Sequence, residues 1–148
     1  MKFLLSFILL FCFNLAAKDE VDYEILFKPT EFKSINWYKV DDFTIFHNAL
    51  GKADHQEKNS YYYIRNNIKY PLSIHKKDKS KKIEKIYYRI LGSKKSFDQL
   101  KNYLNQNNFV QDENKSGEQY QSYVNIENKI RLNFLKSTQK LYSVEKWF

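Results

Sequence analysis

The sequence is poor in the residues that staple or punctuate a chain. Its 148 residues include one Cys, two Pro and three Gly. One Cys excludes a disulfide framework and every metal site built from several cysteines. So little Gly and Pro excludes a collagen-like repeat and a low-complexity linker. Long apolar runs are missing too. Beyond the N-terminus there is no stretch of about 18 apolar residues, so no transmembrane helix is expected after it. Arginine occurs only at Arg65, Arg89 and Arg131; the rest of the 25 basic residues are lysine. Aromatic side chains, by contrast, make up 18 % of the chain. That is too many for a disordered polypeptide. A chain this short is expected to form one compact domain, or two small halves sharing a core.

The first seventeen residues read as an address. Lys2 supplies the positive start, and Phe3 to Phe13 is apolar apart from Ser6. Small residues at Ala16 and Ala17 precede the charged Lys18-Asp19-Glu20. This is the pattern of a secretory signal peptide, with cleavage expected after Ala17. The apolar run of about 11 residues is short of the roughly 20 needed to span a bilayer. Cys12 lies inside that run behind Phe11, where a lipidation signal wants a small residue, so no lipid anchor is expected. The expected mature chain, 18–148, has no Cys, which suits an oxidising compartment. A periplasmic or secreted protein follows, and export argues against a nucleic-acid partner.

The formal net charge is +8. A basic balance attracts acidic partners. Abundant Lys, Asn, Ile, Tyr and Phe also match what an AT-rich genome encodes, and Lys is a well-hydrated surface residue. Both explanations stay open on sequence alone.

Along the chain, Val21 to Phe27 reads as a strand closed by Pro29. Phe32 to Val40 carries aromatics without a clear period. Asp41 and Asp42 cap a short helix whose apolar residues Phe43, Phe46 and Leu50 recur at helical spacing, and Gly51 stops it. Residues 52–59 read as a polar loop. Tyr61 to Ile64 begins a strand, Asn66-Asn67 turns, and Tyr70 to Ile74 returns. Pro71 places that return at a strand start or a sheet edge. Residues 75–82 read as a charged loop. In the strand at 83–91, Ile86, Tyr88 and Ile90 face one way; Lys85, Tyr87 and Arg89 face the other.

The strongest helix signal begins at Ser96, with Gln99 completing a capping box. Phe97, Leu100, Tyr103 and Leu104 form its apolar stripe, and Asn107-Asn108 ends it. Phe109-Val110 is extended, and residues 111–118 read as a loop. Three strands close the chain. In the first, Tyr120, Ser122, Val124 and Ile126 are assigned to the apolar side. In the second, Ile130, Leu132 and Phe134 alternate with Arg131 and Asn133. The last, Leu141 to Phe148, is apolar on both sides.

Residues 42–91 and 96–148 share the order helix, strand, strand, strand. Leu72-Ser73-Ile74 matches Leu132-Asn133-Phe134, and Lys85-Ile86-Tyr87 matches Lys140-Leu141-Tyr142. The expected fold class is therefore α+β: an antiparallel sheet with helices on one face, built from two tandem αβββ units spanning 41–91 and 96–148. The element order, with Ala49-Leu50-Gly51-Lys52 followed by Tyr61-Tyr62-Tyr63 and Ile83 to Tyr88, resembles the small periplasmic modules of the SmpA/OmlA group. In tandem it is similar to β-lactamase-inhibitor proteins. The resemblance covers 41–91 and, loosely, 96–148. It implies a binding module without catalysis, and it transfers no individual residue. The lipidated Cys of that group is missing here.

Few residues point to chemistry. His47, Asp54, His55 and Glu57 are the only His/acid cluster, but the two His, eight positions apart, do not fit ligands on one helix. No nucleophile motif or phosphate loop occurs. Asp41-Asp42 is explained as a helix cap, and Asp112-Glu113 as a solvated loop. No enzyme activity, metal or cofactor is expected. The binding candidates are Tyr61, Tyr63, Tyr87 and Arg89 on strands, and Lys76, Lys77, Lys81 and Lys82 in the basic run. Exposed Tyr favours protein recognition, and Lys steers an acidic partner. Core packing of the tyrosines and simple solvation of the lysines compete with that view. The expected function is an exported inhibitor or immunity-type protein that occludes a protein partner. The alternative is a cell-envelope assembly or maintenance factor. Nothing in the residues sets the oligomeric state.

Overall fold

The computed structural model describes residue 32 and residues 35–148, apart from 66 and 91. The expected signal segment, Cys12 and the expected strand at 21–27 lie outside the described residues. In chain order the elements are α1 (Phe43–Leu50), β1 (His55–Glu57), β2 (Ser60–Arg65), β3 (Ile68–Lys76) and β4 (Ile83–Arg89), then α2 (Phe97–Gln106), β5 (Val110–Gln111), β6 (Tyr120–Asn125), β7 (Ile130–Leu135) and β8 (Leu141–Trp147). The eight strands form one antiparallel sheet in the order β1-β2-β3-β4-β8-β7-β6-β5. The fold is α+β. Among the described residues no helix is long and apolar enough to cross a membrane.

Both helices begin as their caps dictate. The Asp42 carboxylate accepts from the Thr44 N–H at 2.8 Å, and Gly51, at φ +76°, ends α1. Ser96 and Gln99 exchange both bonds of the capping box at the start of α2. Asn108 takes the positive φ after α2. Each helix start is also tied to a strand entry. Asp42 bridges Lys82 just before β4, and Ser96 bridges Lys140 just before β8.

Cross-strand partners share a face, so the register assigns the two faces of the sheet. Tyr63, Leu72, Tyr88, Val144, Leu132 and Tyr123 are paired across six strands. They define the apolar face. Phe43 of α1 lies 4.3 Å from Tyr61, and Phe97 of α2 lies 5.0 Å from Tyr123 and 5.6 Å from Phe134, between ring centroids. One hydrophobic cluster runs through both halves of the chain and includes Phe46, Ile74, Ile86, Leu100, Leu104 and Leu132.

Several expectations need correction. Residues 55–57 are not loop but the edge strand β1. His75 and Lys76 belong to β3, so the basic loop begins at residue 77. Pro71 is neither at a strand start nor at an edge; it sits inside β3, between β2 and β4. The β2–β3 register shifts between Tyr63 and Arg65, and the β3–β4 pairs begin only at Leu72. Pro71 therefore stands where neither neighbouring ladder is regular, and its missing N–H is tolerated.

The parity expected for the strand at 120–126 is inverted. Tyr123 and Asn125 pair with Leu132 and Ile130 and so share the apolar face. Tyr120, Ser122 and Val124 lie on the opposite face. Two bonds satisfy the buried Asn125: its amide donates to the Asn107 carbonyl at 2.6 Å, and its carbonyl accepts from Asn128 N–H at 2.8 Å. Phe32 and Trp37, which showed no period, are core residues. The Phe32 ring packs 5.4 Å from Phe46 and 6.1 Å from Tyr88.

Candidate functional site

The second face of the sheet carries polar and aromatic side chains. By register it presents Ser60, Tyr62, Ser73, His75, Lys85, Tyr87 and Arg89 in the first half, and Ser122, Val124, Arg131, Asn133, Ser143 and Glu145 in the second. On it a depression of about 260 Å³ is lined by Tyr87, Tyr120, Tyr142, Lys115, Asn133, Ser143 and the Arg131–Glu145 pair.

Tyr142 reaches this face through a bulge. Ser143 pairs with Asn133, but Leu141 pairs with Phe134, so Tyr142 is the extra residue. A bulge breaks the alternation and re-aims the side chain. Leu141 and Val144, three apart, are both buried, while Tyr142 joins Ser143 at the depression. The Tyr142 ring lies 5.0 Å from Tyr120. The Arg89 guanidinium stands 4.9 Å from the Tyr142 ring centroid. Burial and a hydrogen bond with Tyr120 push the Tyr142 phenol up to about 12. Burial also raises Tyr87, partly offset by its bond with Ser143.

Beside the tyrosines runs a connected polar network. Arg131 donates to Asp112 at 3.1 Å and to Glu145 at 3.1 Å, all three side chains being less than one-fifth exposed. Asn133 donates to Ser143 at 2.9 Å and accepts from Ser122 at 2.6 Å. The Arg131 guanidinium also lies 5.3 Å from the Trp147 ring. Each of these polar groups is held by at least one neighbour, so the face is pre-organised. Beyond Trp147 a second depression, about 530 Å³, is lined by Val110, Val124 and Ile126 and shares Arg131 with the first. Val110 and Ile126 are exposed hydrophobics.

The expected binding residues separate into three groups. Tyr87 and Arg89 are on the polar face. Tyr61 and Tyr63 are not; Tyr61 packs on Phe43, and Tyr63 is 0 % exposed in the core. Strand alternation puts their neighbour Tyr62 on the polar face instead. The lysines are elsewhere. Lys76 places its ammonium 5.1 Å from the Phe43 ring and 5.4 Å from the Tyr61 ring, on the apolar side. Lys82 pairs with Asp41 at 2.8 Å, which raises its pKa. Lys77 and Lys81 are exposed in the β3–β4 loop. The loop enters β4 at Ile83, about 20 Å along the strand from Arg89. The structure thus does not bring the basic run together with Tyr87 and Arg89.

Tyr120, Tyr142, Arg131, Glu145 and Trp147 were missed as candidates. One signal was available for Tyr142: apolar residues at 141 and 144, spaced by three within a strand, mark a bulge.

The His/acid candidates disperse. His47 lies over Phe43 on α1, His55 lies near Tyr62, and Asp54 accepts from the Ile64 N–H at 2.6 Å. Among the described residues no group of three or more His, Cys, Asp or Glu is placed to hold a metal ion. His75 sits between two hydroxyls, with Ser60 at 2.8 Å from Nδ1 and Ser73 at 3.2 Å from Nε2. Burial lowers its pKa. A catalytic Ser–His pair wants a third group to orient the imidazole; both ring nitrogens here are occupied by serines.

No known protein family, no curated protein and no solved structure matches this chain.

Proposed function

We propose that the protein is an exported, non-enzymatic protein-binding module, an inhibitor or immunity-type neutraliser, and that it binds through the polar face of its sheet. One observation carries this reading. Tyr87, Tyr120, Tyr142, Trp147 and Arg131 are gathered on one face and held by their neighbours, while the other face is buried. Tyr, Trp and Arg are the residues that dominate interface energies. Holding them before binding cuts the entropy of ordering them on contact. Occlusion of the partner is the mechanism. The excess of basic residues, +8 for the full chain, steers an acidic partner toward the protein. Export rests on the N-terminal pattern of Lys2, the apolar run and Ala16-Ala17.

The fold behind this face is read as two tandem units, each a helix, a short first strand and three longer strands, joined where β4 meets β8. Both helices then cover the same face. Three features support the reading. The helix caps Asp42 and Ser96 make equivalent bridges. The bulges at β3–β4 and β7–β8 are equivalent, which aligns Ile83 with Leu141 and Ile86 with Val144 rather than the pairing expected from sequence. Phe43 and Phe97 meet side chains of the same sheet face.

The test is site-specific photo-crosslinking in cells. A photoreactive residue replaces Tyr142, and in a second strain Ile45, which is exposed on α1. One stoichiometric exported protein captured from position 142 and not from 45 is the expected result. Capture from position 45 alone, or no capture, overturns the proposal. Outer-membrane machinery captured from position 142 replaces the neutraliser by an envelope assembly factor.

A further inference from the structure

We infer that Arg89 is the receptor for a carboxylate on the protein partner, so that an Asp or Glu side chain of the partner docks beside the tyrosine depression. The inference rests on the protein-binding reading above and deepens it.

Arg89 and Arg131, both on the polar face, are in opposite situations. Arg131 is neutralised by Asp112 and Glu145. Those two carboxylates are thereby occupied. Arg89 makes no ion pair among the described residues; its Nε is buried without a hydrogen-bond acceptor there, so a partner meets the terminal nitrogens of the guanidinium. One flank of its guanidinium is packed on Tyr142, whose ring is in turn held by Tyr120. A guanidinium presents its donors in a fixed planar fork that matches a carboxylate. Contact with the Tyr142 ring restrains that fork before any partner arrives. Arg89 supplies free donors while the carboxylates of Asp112 and Glu145 are engaged by Arg131, so the complementary group is an external anion. A carboxylate of a protein is the anion that fits an interface lined by phenols, and the chain's positive charge matches an acidic surface.

The direct test uses poly-L-glutamate as the probe and follows the Arg89 Nε–H resonance by 15N NMR. A shift on titration is expected. The affinity of the Arg89→Met variant should fall about tenfold or more, with Arg89→Lys in between, because a lysine keeps the charge and loses the fork. The double variant Lys77→Met/Lys81→Met should bind within about twofold of wild type, since those lysines stand about 20 Å away along β4. Thermal melts of each variant check that it folds. An unmoved Nε–H resonance, or equal affinity of Arg89→Met, overturns the inference. So does inorganic phosphate if it shifts the resonance more than poly-L-glutamate at equal charge. The captured partner separates the two levels. A partner crosslinked at position 142 whose yield is unchanged by Arg89→Met leaves the docking face standing and removes the carboxylate receptor. Absence of any partner removes the face itself.

Discussion

Replacing Lys146 by methionine raises stability at neutral pH and removes a rise in stability toward alkaline pH. Lys146 is 7 % exposed and pairs with Ile86 and Ile130 on the apolar face. Its ammonium donates to the Asn128 and Trp147 carbonyls at 3.1 and 2.8 Å and lies 4.5 Å from the Phe148 ring. No carboxylate is bonded to it among the described residues. Burial, with a further push from Lys129, lowers its pKa to about 8 from 10.5.

Folding therefore favours the neutral amine. Below pH 8 both states are protonated, and the folded state carries the whole cost, about 2–3 kcal/mol after screening. Between pH 8 and 10.5 the unfolded chain holds more protons, so stability rises with pH. Methionine keeps the aliphatic length but leaves two carbonyls without their donor, at about 1 kcal/mol. The variant gains about 1–2 kcal/mol at pH 7, or about 3–6 °C in Tm for a chain of this size. From pH 7 to 9.5 wild type gains about 1–2 kcal/mol on the variant, and the two curves converge. Tyr142, with its raised pKa, destabilises the folded state only above about pH 10, outside this window. Urea unfolding followed by circular dichroism at pH 7, 8, 9 and 9.5 reads the difference. Parallel curves for wild type and variant would refute the buried-ammonium argument.

Other outcomes follow from the same structure. Arg131→Met leaves Asp112 and Glu145 facing each other with little solvent and costs about 3 kcal/mol, whereas Lys82→Ala breaks an exposed pair with no measurable shift in Tm. Ser96→Ala removes the capping box of α2 and costs about 1 kcal/mol, read as a lower urea midpoint at unchanged m-value. Leu132→Ala empties a fully buried site in β7, between β8 and β6, and costs about 3 kcal/mol, and a loss below 1 kcal/mol would contradict its place in the shared core. Spectrophotometric titration near 295 nm should show a tyrosine with a midpoint of about 12 that is absent from Tyr142→Phe.

How legible the molecule was depended on the range of the interaction. The α2 capping box lies within four residues, and the structure has it as expected. The α1 stripe of Phe43, Phe46 and Leu50 and the alternation of β7 are equally local, and both are found. Expectations failed where a distant partner decides. Pro71 is expected at a start or an edge because it has no N–H for a ladder; irregular ladders on both sides of β3 remove that constraint. The β6 parity failed because Asn125 is polar yet buried, satisfied by Asn107 from the end of α2. Half of the candidate site was readable. Simple alternation sets Tyr87 and Arg89 on the face of β4 opposite Ile86 and Tyr88, whereas Tyr142 needs a bulge, and Tyr61 and Tyr63 turn inward.

Helix caps, turn residues and short-range periodicity are properties of neighbouring residues, and the sequence by itself determined them, along with the charge and the aromatic richness of the chain. The pairing of β4 with β8, the sides taken by β6 and Tyr142, and the meeting of Arg89 with Tyr142 and of Arg131 with Asp112 and Glu145 were decided only by the tertiary structure. The physical reason is period two. A strand offers both of its faces to the core, and one extra residue exchanges them. Which face is buried is settled by the strand alongside, and here that strand comes from more than 50 residues away, as with Tyr88 and Val144.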